Sequence, residues 1–156
     1  MTEALQDVIF RFVHSNDRFG WLLMRKKLWN DAAHQEHTQE MEEALRDSER
    51  FPVFVAEQSE GNLIGFLEAS LHHHEPYSNS EWVLYIEGWY VEALFRKHDI
   101  GRRLLLMAED WGRSKGLTEV FSDAEVANVT GQKVHSALGF RQITTNEEGI
   151  VYRKDL

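Results

Sequence analysis

The sequence predicts a mixed α/β (α+β) fold built around one central sheet. Apolar residues recur at every second position in several short segments and at every third or fourth position in others, which indicates strands and helices respectively. The chain has 156 residues, two prolines and no Gly/Ser tract that could serve as a linker. We therefore expect a single domain over residues 1–156, with elements in the order βααβββαβαββ.

The first part of the chain is predicted to contain a strand and two helices. Alternating side chains over residues 8–13 favour a strand, and the polar run 15–17 offers caps for a helix over 17–29. A polar stretch with a narrow apolar stripe favours a second helix over 34–50, and Pro52 is expected to end it.

The rest of the chain is predicted to complete the sheet. Residues 51–56 and 63–71 are β-rich and flank a turn, so we expect them to pair as a hairpin. Two later helices are each expected to stop at a glycine. The remaining predicted elements are strand 82–91, helix 101–116, strand 118–121, helix 128–138 and strands 140–143 and 150–152.

Composition excludes several functional classes. With 17 Lys and Arg against 26 Asp and Glu, the net charge is −9, which argues against nucleic acid and favours a small cationic ligand. The absence of cysteine excludes disulfides, thiolate metal sites and a thiol nucleophile. The sequence shows no signal peptide and no apolar run long enough to span a membrane, so a cytoplasmic protein without a membrane partner is expected.

The segment 91–102 joins a predicted strand to a predicted helix and is rich in positive charge. Backbone N–H groups and the positive end of the helix dipole at such a joint suit a pyrophosphate. A solvated basic helix start is the alternative when the segment is taken alone. The cations at this joint are Arg96, Lys97, Arg102 and Arg103.

A downstream segment adds a second signal, because Asn128 is followed by His135 and then by Leu138-Gly139-Phe140. Together the two segments resemble the GNAT superfamily of acyl-CoA-dependent N-acetyltransferases. The resemblance implies the GNAT fold, a central mixed sheet flanked by helices, with acetyl-CoA as cosubstrate and no metal. It assigns cofactor binding to Trp89, Tyr90, Val91, Arg96, Lys97, His98, Asp99, Ile100, Gly101, Arg102 and Asn128.

The loop departs from the family pattern at Asp99, where the superfamily has the first glycine of its motif. A carboxylate beside a pyrophosphate repels it unless the side chain turns outward. The direction of this side chain is therefore expected to decide the affinity for the cofactor.

Further segments are more particular. Ile86-Glu87-Gly88-Trp89-Tyr90-Val91, Ser122-Asp123-Ala124 and Val134 to Phe140 follow one another with spacings similar to those of bacterial aminoglycoside 6'-N-acetyltransferases, over residues 21–154. This resemblance implies acetyl transfer to the 6'-amine of an aminoglycoside, antibiotic resistance and a homodimer paired through late strands. The lack of cysteine agrees with direct attack in a ternary complex.

The resemblance also implies roles for individual side chains. Glu87, a carboxylate within an apolar strand, would contact the substrate amine and accept its proton. Asp123 would bind an ammonium group, and His135, where the family usually has Tyr, would protonate the CoA thiolate. An outward-facing charge at Glu87 and a helix cap at Asp123 are the structural alternatives.

Two more substrate contacts are implied. Trp29 matches a substrate-contacting Trp, although ordinary core packing is the alternative. Glu147 falls at an acidic substrate position if residues 144–146 are an insertion. Glu68 and Glu75 are further acidic candidates, for which a solvated position on a strand is the favoured interpretation.

The run His72-His73-His74 resembles a metal site, but neighbouring residues on a strand face opposite ways. At most His72 and His74 could converge, so a polar loop beside the substrate cleft is the favoured interpretation.

Two other functions stay open at this point. A GNAT enzyme for polyamines or protein N-termini would share the cofactor loop, and the residue at position 99 allows a catalytically silent CoA-binding module.

Overall fold

The computed structural model describes residues 7–59 and 61–156, and its elements follow the predicted order. Short 3-10 turns at Ser15–Asp17 and Ala93–Phe95 precede two of the helices. The strands are β1 (Ile9–Phe12), β2 (Val53–Gln58), β3 (Asn62–His73), β4 (Trp82–Val91), β5 (Glu119–Ala124), β6 (Arg141–Asn146) and β7 (Gly149–Asp155). The helices are α1 (Arg18–Leu28), α2 (His34–Arg46), α3 (Ile100–Ser114) and α4 (Val129–Ala137).

The strands form one mixed sheet in the order β1-β2-β3-β4-β5-β7-β6. The pairs β1–β2, β2–β3, β5–β7 and β6–β7 are antiparallel, whereas β4 and β5 are parallel. The predicted fold class and the predicted β2–β3 hairpin are therefore confirmed.

The chain divides into two compact units. One comprises the described residues of Met1–Ala69 together with Gly88–Ala108, and the other comprises Ser70–Glu87 and Glu109–Leu156. In the first unit, apolar side chains of α1 and α2 pack on β2 and β3. Its core includes Trp21, Met24, Met41, Val55 and Phe66.

Helix α2 ends at Arg46, so the prediction that it continues to residue 50 and is stopped by Pro52 is wrong. The carbonyl of Asp47 accepts backbone hydrogen bonds from Arg50 (3.2 Å) and Phe51 (2.9 Å), which closes a turn before the proline is reached. Asp favours such local turns over helix interiors, and this explains the earlier stop.

The second unit contains the parallel β4–β5 pair, the β6–β7 hairpin and α4. Its buried cluster is formed by Val83, Tyr85 and Phe121. The polar segment 144–149 extends β6 and forms a tight turn, in which the Asn146 side chain accepts backbone hydrogen bonds from Glu148 and Gly149. Within the described residues, no helix is long and apolar enough to cross a membrane.

Candidate active site

Glu87 lies on β4 and is held by two neighbours on β3. Its Oε1 atom accepts a hydrogen bond from the Ser70 hydroxyl at 2.6 Å and lies 2.6 Å from His72 Nε2. The Glu87 side chain is 42% exposed, so the carboxylate faces outward from an otherwise apolar strand, as the structural alternative states. Flanking residues of β4 are buried, and Glu87 points out of this strand toward solvent. Exposure leaves the carboxylate able to meet a ligand.

Asp123 lies inside β5 rather than after it, because the strand continues to Ala124. Its Oδ2 atom accepts a hydrogen bond from the Tyr85 hydroxyl at 2.7 Å, and no helix begins at this residue. Desolvation by the surrounding protein raises the pKa of Asp123. The hydrogen bond from Tyr85 opposes this rise, and the negative charge of Glu87 adds to it. Burial and the contact with Asp123 in turn raise the pKa of Tyr85.

His135 lies on α4 and is buried, with 6% of its surface exposed. Its Nδ1 atom lies 2.7 Å from the Gly131 carbonyl, which can only accept, so Nδ1 carries the hydrogen and Nε2 faces the Ser122 hydroxyl at 2.8 Å. The ring stacks on Tyr152 at 4.5 Å. Burial lowers the pKa of His135, which favours the neutral ring at neutral pH. Its role as an acid stays a prediction.

The three consecutive histidines do not follow strand alternation. Strand β3 ends at His73, and His74 has a φ of 57°, so the rings of His73 and His74 lie 3.7 Å apart. Strand alternation allowed only His72 and His74 to converge, and the structure instead brings His73 and His74 together. Together with Glu81, the pair offers ligand atoms within 4.8 Å of one another and could hold a metal ion. All three residues are exposed, and exposed groups of this kind often occur without a metal.

Trp29 follows α1 in the first unit and is partly buried. The Arg25 guanidinium lies 4.7 Å from its ring centre, and the Phe66 ring lies 6.1 Å away. A Cβ atom added at Gly88 would lie 2.3 Å from Trp29 Cη2, so glycine is required for the indole to pack there. Gly88, directly after Glu87 in sequence, thus forms part of the surface against which the indole packs.

Glu68 is 9% exposed, so the expectation of a solvated residue is wrong. It accepts hydrogen bonds from Arg25 at 2.5 Å and from the Trp21 indole at 2.8 Å. Arg25 is itself 1% exposed and also contacts His37 and Glu40. Glu68 and Arg25 thus form a buried structural ion pair within the first unit, with further hydrogen bonds to both side chains.

The predicted cofactor loop links β4 to α3. Arg96 donates from Nε to the Val91 carbonyl at 2.8 Å, and the Trp89 indole donates to the Gly101 carbonyl at 3.0 Å. These two bonds tie the loop to the end of β4. Lys97 has a φ of 64°, and Ile100 is buried beneath the first turn of α3 while His98 is exposed.

Asp99 adopts a φ of 72°, in the left-handed region that favours glycine. This backbone shape accounts for the glycine of the family pattern. The carboxylate is turned to Arg102, with both of its oxygens at 2.6 Å from guanidinium nitrogens. The hydrogen bonds from Arg102 lower the pKa of Asp99, so the carboxylate is ionised and paired.

The other two predicted site residues lie at element ends in the second unit. Asn128 caps α4, since its Oδ1 atom accepts from the Gly131 N–H at 2.9 Å. Glu147 is exposed in the turn between β6 and β7. The turn is a plain two-residue hairpin connection, and the substrate role of Glu147 stays a prediction.

Sequence reasoning missed the partners that surround Glu87 and Asp123. Ser70 and His72 lie two apart on β3, and Tyr85 and Glu87 lie two apart on β4. That spacing places each pair on one face of its strand, so the sequence alone could have predicted that the two members of a pair lie side by side. It could not show that the two pairs would be neighbours, because register is set between strands.

Comparisons with known proteins agree on one family. The sequence model described as the Acetyltransferase (GNAT) family matches residues 18–140. Aminoglycoside N(6')-acetyltransferase type 1 of Klebsiella aerogenes is 35% identical over 137 residues, which are 86% of this chain and 90% of that protein. The corresponding enzyme of Salmonella typhimurium is 36% identical over the same shares of the two chains.

Solved structures give the same result. The structure of AAC(6')-Iy in complex with the bisubstrate analog CoA-S-monomethyl-acetylneamine superposes with a TM-score of 0.83 at 31% identity, covering 89% of this chain and 94% of that one. The enzyme AAC(6')-Ih from Acinetobacter baumannii gives a TM-score of 0.82 at 26% identity, over 89% and 94% of the two chains.

Proposed function

Because the chain belongs to the GNAT family of acetyltransferases, we propose that it transfers the acetyl group of acetyl-CoA to the 6'-amino group of an aminoglycoside antibiotic. The observation that carries this proposal is the match to aminoglycoside N(6')-acetyltransferases over 86% of the chain, including a relative whose structure holds a CoA–aminoglycoside bisubstrate analog. Such transfer inactivates the drug and gives resistance. Residues 1–156 act as one acetyltransferase domain, since the family match runs without a break through 18–140.

The acceptor amine must lose a proton before it can attack. At neutral pH an amine is mostly an ammonium ion, so the site needs a base close to the reacting nitrogen. Glu87 takes that role because its carboxylate is exposed to solvent, whereas the residues on either side of it in β4 are buried. Asp123, on the neighbouring strand β5, supplies a second carboxylate for an ammonium of the polycation, and Trp29 and Glu147 provide further contacts.

The amine nitrogen attacks the thioester carbonyl directly, and the carbon–sulfur bond breaks to release the CoA thiolate. The N–H of Val91 polarises the carbonyl oxygen. The resemblance assigns protonation of the thiolate to His135. Burial favours the neutral ring, so Nε2, which faces the Ser122 hydroxyl at 2.8 Å, must first take up a proton to act in this way. The nitrogen loses two protons in all, one to Glu87 before the attack and one as the amide forms. One is matched by the proton given to sulfur, and the other is released to solvent.

The loop 96–102 and the start of α3 bind the pyrophosphate of acetyl-CoA. Backbone N–H groups at the start of a fifteen-residue helix face the anion with the positive end of the dipole. The side chains of Arg96, Lys97 and Arg102 add positive charge, while Trp89, Tyr90 and Val91 hold the pantetheine arm and Asn128 completes the cofactor set.

We expect the protein to act in the cytoplasm as a homodimer that pairs through its late strands. Strand β6 lies at the end of the sheet order and is largely exposed, and an open strand edge is a surface that proteins tend to cover. Light scattering should give about twice the 18.3 kDa chain mass. A monomer with full activity would contradict the dimer and leave the acetyltransferase proposal intact.

The deciding experiment compares aminoglycosides that differ at one position. CoA release is followed with a thiol reagent, for which the chain gives no background because it lacks cysteine. A kanamycin-class drug with a 6'-amine should be acetylated, whereas a 6'-hydroxy analogue should not. Equal or better rates with polyamines or N-terminal peptides would overturn the proposal, and CoA binding without transfer to any amine would indicate a silent module.

A further inference from the structure

His72 is placed between two carboxylates. Its Nε2 atom lies 2.6 Å from Glu87 Oε1, and its Nδ1 atom lies 3.2 Å from Glu75 Oε2. Ionised carboxylate oxygens accept hydrogen bonds and cannot donate them. A neutral imidazole carries only one N–H group, so only the doubly protonated ring donates to both partners. The geometry therefore indicates a cationic His72 in the ligand-free protein.

The surroundings reinforce this charge. The His72 ring stacks on Tyr85 at 4.4 Å, and the Tyr85 hydroxyl donates to Asp123, whose negative charge also faces the imidazole. Thus Glu87 and Tyr85 from β4, Asp123 from β5 and Glu75 from the connection after β3 surround one imidazole. The hydrogen bond to Glu87 raises the pKa of His72 above its ordinary value of 6.5, although burial opposes the rise.

Both partners remain open to solvent. The His72 side chain is 32% exposed and that of Glu87 is 42% exposed, so a dissolved cation can approach the same carboxylate. An imidazolium N–H and an ammonium N–H make the same kind of hydrogen bond to a carboxylate. They compete for Glu87 because two cations held at one carboxylate repel each other.

We propose that His72 is a built-in cation that occupies the ammonium position on Glu87 and gives it up, with loss of its Nε2 proton to solvent, when the acceptor binds. This inference rests on the proposed function and adds a positioning residue to it. The neutral ring can keep its Nδ1–H hydrogen bond to Glu75, and its Nε2 atom becomes an acceptor that faces the bound ammonium. Glu87 then faces one cation, the acceptor ammonium, and is free to take its proton.

The exchange links acceptor binding to pH. Below the pKa of His72 the imidazolium competes for Glu87, and as the pH rises through that pKa the competitor loses its charge. Acceptor affinity should therefore rise as the pH increases toward the pKa of His72, by up to about tenfold per pH unit for one linked proton, and should level off above that pKa. If His72 had only a structural role, replacing it would leave the dependence of acceptor affinity on pH unchanged.

The first test needs no acceptor. The imidazole of His72 is titrated by NMR in the wild type and in Glu87→Gln, Glu75→Gln and, as the matched control on neighbouring His73, Glu81→Gln. Each of the first two changes should lower the pKa of His72 toward its ordinary value, and the control should leave it where it is. A His72 titration that does not respond to Glu87→Gln overturns the inference, whatever the enzyme acetylates.

The second test measures protons. Calorimetry of aminoglycoside binding in buffers of different ionisation enthalpy, just below the pKa of His72, should show up to about one more proton released by the wild type than by His72→Gln or His72→Ala. The matched control His73→Gln should behave as the wild type. Equal release in all proteins overturns the exchange, whereas a wild type that acetylates no aminoglycoside overturns the proposed function and leaves the NMR result standing.

Discussion

At the scale of single residues, the site depends on how each carboxylate is paired. Glu87 and Asp99 are both exposed acids, but Glu87 contacts a titratable histidine while Asp99 contacts a permanently charged arginine. The first pairing can be exchanged near neutral pH, and the second cannot, because the Arg pKa lies far above that range. The two acids should therefore respond differently to substitution.

Replacing Glu87 with Gln should reduce acetyl transfer by roughly 10²–10⁴-fold, the usual cost of a lost general base. The amide keeps an oxygen that can accept from Ser70, so the fold and acetyl-CoA binding should be retained. Steady-state rates and calorimetry with acetyl-CoA check the two halves of this expectation. The isosteric change Glu81→Gln at an exposed acid of the same unit is the control, and an unaltered rate in Glu87→Gln would reassign Glu87 to structure.

Replacing Asp99 with Gly should tighten acetyl-CoA binding by about 1 kcal/mol or more. The change releases Arg102 for the pyrophosphate, removes a negative charge, and puts glycine at a φ of 72°. Asp99→Asn is the matched control, because Asn tolerates this backbone region and lacks the charge. Tightening in both variants assigns the effect to charge, tightening in Gly alone assigns it to the backbone, and weaker binding in both would contradict the prediction.

At the scale of elements, close packing decides which substitutions are tolerated. Gly88, which follows Glu87 on β4, has no room for a side chain, because the Trp29 indole fills the space beside it. The end of α1 thus packs on β4 at Gly88, through Leu28 and Trp29, and the position of Trp29 depends on this contact.

Gly88→Ala should lower the free energy of unfolding by about 1–3 kcal/mol, since its Cβ would lie 2.3 Å and 2.5 Å from two indole atoms. Because the indole must move, the KM for the acceptor should also rise. Gly20→Ala in α1 is the control in the same unit, where the nearest atom lies at an ordinary 3.4 Å and alanine favours the helix. Equal thermal stability of Gly88→Ala and the wild type would show that Trp29 adjusts without cost.

At the scale of the whole molecule, charge should govern the encounter with the acceptor. The chain carries a net charge of −9, and an aminoglycoside is a polycation, so their attraction is long-ranged and weakened by salt.

The ratio kcat/KM for the aminoglycoside should fall as the salt concentration rises from low to physiological strength, because the Debye length shrinks to about 8 Å. The measurement is made at saturating acetyl-CoA, so that the anionic donor does not contribute. A 6'-amino substrate with fewer ammonium groups is the matched control and should show a shallower decline. A flat response for both would mean that the charge of the chain plays no part in recognition.

Much of this protein could be predicted from its sequence. The order of elements, the β2–β3 hairpin, the strand-to-helix loop at 91–102 and the family all follow from local periodicity and short motifs. These features depend on residues close together in the chain, where side-chain spacing and backbone preference act directly. The roles of the site residues remain predictions that mutagenesis must test.

Tertiary structure decided the partners. Glu68 was expected in solvent and is buried against Arg25, while His72, for which no acidic partner was predicted, lies between Glu87 and Glu75. Asp99 is turned to Arg102, a choice that its sequence position leaves open. The physical reason is that periodicity states which face of an element a side chain occupies, whereas its partner depends on strand register and on backbone turns such as that at His74.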